Sequence, residues 1–183
     1  MTKLAKQPKG LYVLAFTEVF ERFSYYTLSF LLVLYASASV EKGGLGWSNA
    51  DSLTLAGIYT LAAYTLPIIG SYFADSIIGR GKAVFIGGFV IILGHLLMLF
   101  SHYDPIFYLA LFCVAAGTGF FKPNISTIVG NLYKTGDPRR DAGFGLFYSG
   151  INIGALLGGY LCIDMANRYS WNLAFSLAGI GMA

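Results

Sequence analysis

Long apolar stretches restrict the fold of this chain more than any other feature of its sequence. Crossing about 30 Å of hydrocarbon takes about 20 helical residues. Five stretches are about that long, at roughly 11–38, 53–74, 83–100, 106–133 and 142–163. Their uniform apolarity does not fit the alternating strands of a membrane barrel, so we predict helices. Hydrophobic residues make up 56% of the chain and charged residues only 11%, as in a membrane protein.

A sixth apolar stretch is too short to cross a membrane. It begins at Trp171 and reaches Ala183, and a helix of that length rises only about 20 Å. We therefore predict an all-α membrane bundle with five complete spans and the start of a sixth helix. Residues 1–10 form its cytoplasmic N-terminus in this interpretation, and residues 11–183 form the bundle.

The basic residues between the predicted spans indicate an orientation. If the N-terminus is cytoplasmic, the external loops hold only Lys42 and Arg168. The cytoplasmic segments then hold Lys3, Lys6, Lys9, Arg80, Lys82, Lys134, Arg139 and Arg140. Lys and Arg concentrate on the cytoplasmic side of membrane proteins. We expect a multi-pass protein of the cell inner (plasma) membrane, surrounded by the lipid bilayer, with its N-terminus in the cytoplasm.

Four charged residues, Glu18, Glu21, Arg22 and Lys122, lie within predicted spans. Each charge costs at least about 2.5 kcal/mol at the bilayer centre, so these groups must pair or face a protein-lined or aqueous interior. Glu18 and Arg22 are four residues apart and could simply neutralise each other within one helix. That pairing leaves Glu21 and Lys122 uncompensated unless they meet across helices. We favour a functional role, because intramembrane ionisable groups usually mark a substrate or proton path.

Small and polar residues in the fifth span indicate close helix packing. Gly150, Gly154 and Gly158 recur every four residues, a spacing that allows another helix to approach closely. Asn152 lies among them and could either bond a neighbouring helix or contact a ligand. His95, like the other histidine of the chain, is a weak candidate for a functional role.

Several functional classes lack support in the sequence. The Lys and Arg residues are too few and too scattered for a nucleic-acid-binding face. Cys113 and Cys162 show no CxxC pair or metal-ligand spacing. No HExxH, GxSxG or paired-histidine motif is present, so we predict neither an enzyme nor a bound metal or cofactor.

Four motifs follow one another along the chain: "EVFERFSYY", "GSYFADSIIGRGK", "GTGFFKPNIS" and "FYSGINIGALLGG". They resemble signatures of the proton-coupled oligopeptide transporter (POT/PTR) family of the major facilitator superfamily. The resemblance implies the N-terminal six-helix bundle of such a transporter, with its sixth helix truncated and the C-terminal bundle absent from this sequence. It also implies symport of di- and tripeptides by alternating access, with the proton as coupling ion and the C-terminal six-helix half as partner.

The resemblance assigns roles to individual residues. The implied proton-coupling residues are Glu18, Glu21, Arg22 and Lys122. The implied peptide-binding residues are Tyr25, Tyr26, Tyr64, Lys122 and Asn152, and the implied cytoplasmic gate consists of Asp75, Arg80 and Lys82. Many family members carry a basic or other long polar residue where Ser29 stands, which leaves Lys122 with more of the recognition of the peptide carboxylate.

The sequence is also compatible with other transported solutes and with other functional classes. Relatives of the family carry nitrate or other small anions with similar motifs. Competition by dipeptides would distinguish a peptide transporter from an anion transporter. A channel or a purely structural helical subunit would need neither proton coupling nor saturation by substrate. Uptake against a gradient excludes a channel.

Overall fold

The computed structural model describes residues 6–183, so residues 1–5, half of the predicted cytoplasmic N-terminus at 1–10, lie outside the described residues. The helices are α1 (Lys9–Ser37), α2 (Asn49–Phe73), α3 (Arg80–Leu97), α4 (Asp104–Asn131), α5 (Arg140–Leu157), α6 (Ile163–Arg168) and α7 (Trp171–Met182). Short turns at Ala74–Ile78 and Met98–Phe100 extend α2 and α3. A π-helical turn at Gly158–Cys162 joins α5 to α6. The described chain therefore forms six continuous helical segments, which we call rods: α1, α2 with its turn, α3 with its turn, α4, α5 with α6, and α7.

Four rods are long and apolar enough to cross a membrane: Asn49–Ile78, Arg80–Phe100, Asp104–Asn131 and Arg140–Arg168. The rod formed by α1 has 29 residues and rises about 43 Å, but its buried charges make it less apolar than the others. The 12 residues of α7 rise about 18 Å, less than a bilayer. The predicted helical bundle is confirmed, although the fifth rod continues past the predicted limit at 163 to Arg168.

Local sequence signals explain where several helices begin. Ser48 and Ser170 cap the N-termini of α2 and α7, where their hydroxyls accept hydrogen bonds from backbone N–H groups. Gly79 separates α2 from α3 with a φ of 82°, a backbone conformation that favours glycine. Pro105 lies in the first turn of α4, where the missing N–H costs no intrahelical bond.

The helices contact one another mainly in pairs. The most extensive contacts join α3 to α4, α1 to α5 and α2 to α4, and α7 covers α1 and α3. One apolar core lies between α1, α4 and α7 and includes Tyr35, Phe107 and Phe175. A second core lies nearer the N-terminal end of α1 and includes Leu11 and Phe121. The first helix is therefore held from three sides.

Glycine makes the closest of these contacts possible. A Cβ atom added to Gly87 of α3 would lie 2.7 Å from the carbonyl oxygen of Gly117 in α4. Along α5 and the π-helical turn that follows it, added Cβ atoms on Gly150, Gly154 and Gly158 would each meet the backbone of α1. The predicted packing role of the glycines in the fifth span is confirmed, and their neighbour is the helix that carries the buried charges.

The N-terminal end of α1 is tied to the loop between α4 and α5. Arg139 donates a hydrogen bond to the carbonyl oxygen of Lys6 at 2.8 Å, and the Tyr133 hydroxyl donates to Gln7 at 2.8 Å. Hydrogen bonds from Arg139 also lower the pKa of Asp137 to about 2. These polar contacts fix the loop next to the start of the bundle.

We predict that Gly154→Ala destabilises the protein because the added methyl group would lie 2.8 Å from the Arg22 Cβ and from the Phe23 nitrogen. Overpacking of this kind costs about 1–3 kcal/mol, which should lower the midpoint of thermal unfolding. Gly145→Ala in the same helix is the matched control, since nothing lies within 4 Å of its added Cβ. Equal midpoints for the two variants would contradict the close contact between α1 and α5.

Candidate functional site

The centre of the candidate site is an ion cluster on α1 formed by Glu18, Glu21 and Arg22. Each of these residues is at most 2% exposed. The Nε of Arg22 lies 3.3 Å from Oε1 of Glu18, and the same guanidinium contacts Oε2 of Glu21. Thr118 of α4 donates a hydrogen bond to Oε1 of Glu21 at 3.3 Å. One guanidinium thus bridges two carboxylates, rather than pairing only with the residue four positions earlier.

The two carboxylates of this ion cluster differ in how well they are satisfied. Both oxygens of Glu21 have a partner, whereas Oε2 of Glu18 is buried without a hydrogen-bond partner in the described part of the chain. Two carboxylates and one guanidinium carry a net negative charge when all are ionised. A buried charge without full compensation is costly, so Oε2 of Glu18 is the atom that gains most from a proton or a cation.

Lys122 of α4 lies apart from the ion cluster. Its side chain is half-buried, and its Nζ lies 5.4 Å from the centre of the Tyr64 ring in α2, a distance typical of a cation–π contact. Among the described residues it forms no ion pair within 4.0 Å with Glu18 or Glu21. The structure therefore brings Lys122 to Tyr64 and leaves its ammonium without a carboxylate partner.

Aromatic residues continue the polar face of α1 beyond the ion cluster. The Tyr25 ring lies 4.9 Å from Cζ of Arg22 and 5.3 Å from the Tyr26 ring. It also stacks on Tyr59 of α2 at 6.3 Å. The Ser29 hydroxyl donates to the Tyr25 carbonyl oxygen at 2.8 Å, so it is turned back onto its own helix. Two predicted peptide-binding residues, Tyr25 and Tyr26, therefore lie next to the ion cluster.

Two other predicted peptide-binding residues lie on exposed faces of the described chain. Tyr64 is 66% exposed, and Asn152 is exposed on α5. The Asn152 amide donates only to the Tyr148 carbonyl oxygen of its own helix, at 3.4 Å. Of the two roles open for Asn152, a bond to a neighbouring helix is not seen within the described residues.

The predicted gate residues lie at the turn between α2 and α3. Arg80 Nε lies 2.8 Å from Oδ1 of Asp75, and both side chains are largely accessible. Lys82 is exposed, and no ion pair joins it to another described residue. The structure therefore brings together two of the three predicted gate residues, at the same end of the bundle as the loop between α4 and α5.

A cavity of about 630 Å³ opens between α4 and α5 at this end. Its lining includes Ser126, Lys134 and Arg140. Ser126 follows Lys122 by one helical turn, so the cavity begins near Lys122. None of the ion-cluster residues lines this cavity, because their side chains are buried where α1 contacts α4 and α5.

Sequence reasoning underrated His95. Its side chain is fully buried in α3, and its Nε2 lies 2.5 Å from the Ser24 hydroxyl oxygen of α1. The available signal was its position inside the most apolar of the four membrane-capable rods. Nothing in the sequence indicated that it faces α1.

We predict that Arg22→Met strongly destabilises the protein, because it leaves two buried carboxylates without a cation. Breaking a buried ion pair on one side costs about 3–5 kcal/mol. The triple variant Glu18→Gln, Glu21→Gln and Arg22→Met should recover most of the lost stability, since no charge then remains. The measurement is the midpoint of thermal unfolding of the purified protein.

Arg80→Gln is the control for loss of an accessible ion pair and should change the midpoint little, since such pairs contribute about 0–1 kcal/mol. A triple variant as unstable as Arg22→Met alone would show that the cost lies in packing rather than in charge.

Comparisons with known proteins show which transporters this chain resembles. A di-/tripeptide transporter of Lactococcus lactis is 40% identical over 178 residues, which covers 96% of this chain and 36% of that protein. A crystal structure of a peptide transporter POT in complex with sulfate is 42% identical, with a TM-score of 0.94, and the match covers 98% of this chain and 37% of the other. A POT family transporter in complex with a thioalcohol conjugated peptide is 35% identical, with a TM-score of 0.93 and the same coverage of both chains.

The chain thus spans little more than a third of the length of these transporters. The model of the POT family matches residues 81–183, which is more than half of the chain. With four rods able to cross a bilayer, this is a multi-pass membrane protein with a major facilitator fold, and it belongs to the POT family.

Proposed function

We propose that the protein couples the inward movement of protons to the uptake of di- and tripeptides across the cell inner membrane by alternating access. The observation that carries this proposal is the buried ion cluster, in which Oε2 of Glu18 has no partner among the described residues. The same bundle holds Lys122, which forms no ion pair within the described part of the chain. The relative from Lactococcus lactis, named a di-/tripeptide transporter, supports the choice of substrate. The N-terminus lies in the cytoplasm in this proposal, as the positive-inside bias of the loops suggests.

Lys122 is the proposed site for the peptide carboxylate. A zwitterionic peptide needs a cation at one end and an acceptor at the other, about a peptide's length apart. The Lys122 ammonium is half-buried and without a carboxylate partner among the described residues, and Tyr64 lies beside it. Hydroxyl groups of Tyr25 and Tyr26 would add hydrogen bonds at the same end.

The acceptor for the peptide ammonium is proposed to come from the C-terminal half. Glu18 and Glu21 are engaged with Arg22, and the other acidic residues of the described chain lie at or beyond the ends of the rods. Asn152 offers only an amide oxygen. A carboxylate across the cavity would complete the site.

The ion cluster is proposed to bind the transported proton at Oε2 of Glu18. Together with Lys122, the three groups of the ion cluster have a net charge of zero when all four are ionised. When a peptide carboxylate holds Lys122, the ion cluster retains its negative charge, and a proton on Glu18 removes that charge. Binding of the peptide therefore favours binding of the proton in the same conformation, which is the requirement for symport.

The proton gradient supplies the driving force. One proton moving down a potential of 100 mV releases about 2.3 kcal/mol, which supports roughly a fiftyfold gradient of a neutral substrate. The ion pair between Asp75 and Arg80 is proposed to stabilise one of the two alternating conformations, with Lys82 beside it. Contacts between helices through glycine allow small rigid movements of the rods.

We predict that the complete transporter takes up a labelled dipeptide into liposomes when an inward proton gradient is applied. Glu18→Gln should abolish gradient-driven uptake but keep exchange of internal for external peptide, because a permanently neutral side chain removes only the proton step. Lys122→Ala should lose both, since the peptide carboxylate loses its cation. Lys42→Ala, in an exposed loop, is the matched control and should behave as the parent.

Gradient-driven uptake that survives Glu18→Gln would refute the proposed coupling residue. A parent protein that ignores dipeptides but accumulates nitrate or another small anion would leave the fold intact and show that the proposed substrate is wrong.

A further inference from the structure

His95 lies where α1, α3 and α7 meet. Its side chain is fully buried, with Nε2 at 2.5 Å from the Ser24 hydroxyl oxygen. A Cβ atom added to Gly179 of α7 would lie 2.8 Å from the His95 Cβ, so α7 closes directly over the histidine. The bond between Ser24 and His95 therefore connects the helix of the ion cluster to α3, beneath α7.

This bond does not have the features of a contact that only adds stability. The Nδ1 atom of His95 is buried without a hydrogen bond of normal geometry in the described part of the chain, although the backbone of Phe175 in α7 lies close to the imidazole. An unsatisfied buried polar atom is costly, whereas an apolar side chain of similar size would carry no such cost. Buried polar contacts of this kind instead specify one geometry, because a hydrogen bond requires defined distances and angles.

Ser24 is close to the ion cluster along α1. It follows Glu21 by three residues, which places it about 60° around the helix from Glu21 and less than one turn away. On another side, α1 contacts Gly154 of α5 and Gly158 of the π-helical turn that follows α5. Contacts through glycine bring backbones together but offer no side-chain bond that would resist rotation of the helix.

Few directional bonds hold α1 near the ion cluster. Thr118 of α4 donates a hydrogen bond to Glu21, and His95 of α3 forms a hydrogen bond with Ser24. The Thr27 hydroxyl donates to Cys162 at 3.1 Å one turn further along. His95 thus supplies the bond from the α3 side that fixes the rotation of α1 next to Arg22.

We propose that His95 is a positioning residue for the ion cluster. Through Ser24 it holds α1 in the rotation at which one guanidinium bridges Glu18 and Glu21 and leaves Oε2 of Glu18 free to take a proton. The transport role of His95 rests on the proposed function. Its structural role, the orientation of Arg22, does not.

The transport test compares four variants of the complete transporter in liposomes: Ser24→Ala, His95→Leu, the double variant and His95→Gln. Ser24→Ala and His95→Leu should each lower the rate of gradient-driven uptake about three- to tenfold, which corresponds to the free energy of one hydrogen bond. Exchange of internal for external peptide should stay close to the parent level. The double variant should be no worse than either single variant. His95→Gln should keep most of the uptake, because its amide can occupy the position of Nε2.

Equal losses of uptake and exchange in Ser24→Ala and His95→Leu would overturn the proposal, as would parent-like uptake in both. Equal losses would indicate a purely structural role. A parent that moves no dipeptide would refute the proposed function instead.

A second measurement tests the positioning role without transport. Thermal unfolding midpoints of Ser24→Ala, Arg22→Met and the double variant form a double-mutant cycle. If Ser24 and His95 orient Arg22, the double variant should be more stable than the sum of the two single effects predicts. Additive effects would overturn the positioning role whatever the substrate.

Discussion

The contact between the Arg22 guanidinium and the carboxylates of Glu18 and Glu21 is the interaction on which the structure around it depends. Three ionised groups in a bilayer are tolerated only if they compensate one another and are shielded from lipid. That requirement explains why α1 is held from three sides. Glycine at 154 lets the backbone of α5 approach Arg22, and Thr118 supplies a hydrogen bond from α4.

The arrangement of the contacts separates two roles within the bundle. Contacts through glycine set how near the helices lie, and a few buried hydrogen bonds set how they are rotated. Lys122 belongs to neither group, since its ammonium lies over the Tyr64 ring close to the cavity between α4 and α5. A cation held only by an aromatic ring can move to a carboxylate at low cost, whereas Arg22, held by two carboxylates, cannot. This difference supports a mobile role for Lys122 and a fixed role for Arg22.

Sequence reasoning was most successful where one physical requirement acts alone. Span length, the glycine contacts and the need to pair the intramembrane charges follow from the thickness and polarity of the bilayer. It was least successful where three-dimensional packing decides. The π-helical turn after α5 has no simple sequence signal, and the bond of His95 to Ser24 joins residues 71 positions apart. The pairing of Arg22 with both glutamates depends on rotamers that only the packed bundle selects.

In the proposed mechanism, the ion cluster carries the proton that moves with the peptide. The most direct measurement records the internal pH of liposomes that contain the complete transporter and a trapped pH-sensitive dye. Dipeptide is added outside while the interior is held at a negative potential. The account predicts acidification of the interior that requires both dipeptide and an ionisable side chain at Glu18. Peptide entry without acidification, or acidification unchanged in Glu18→Gln, would contradict it.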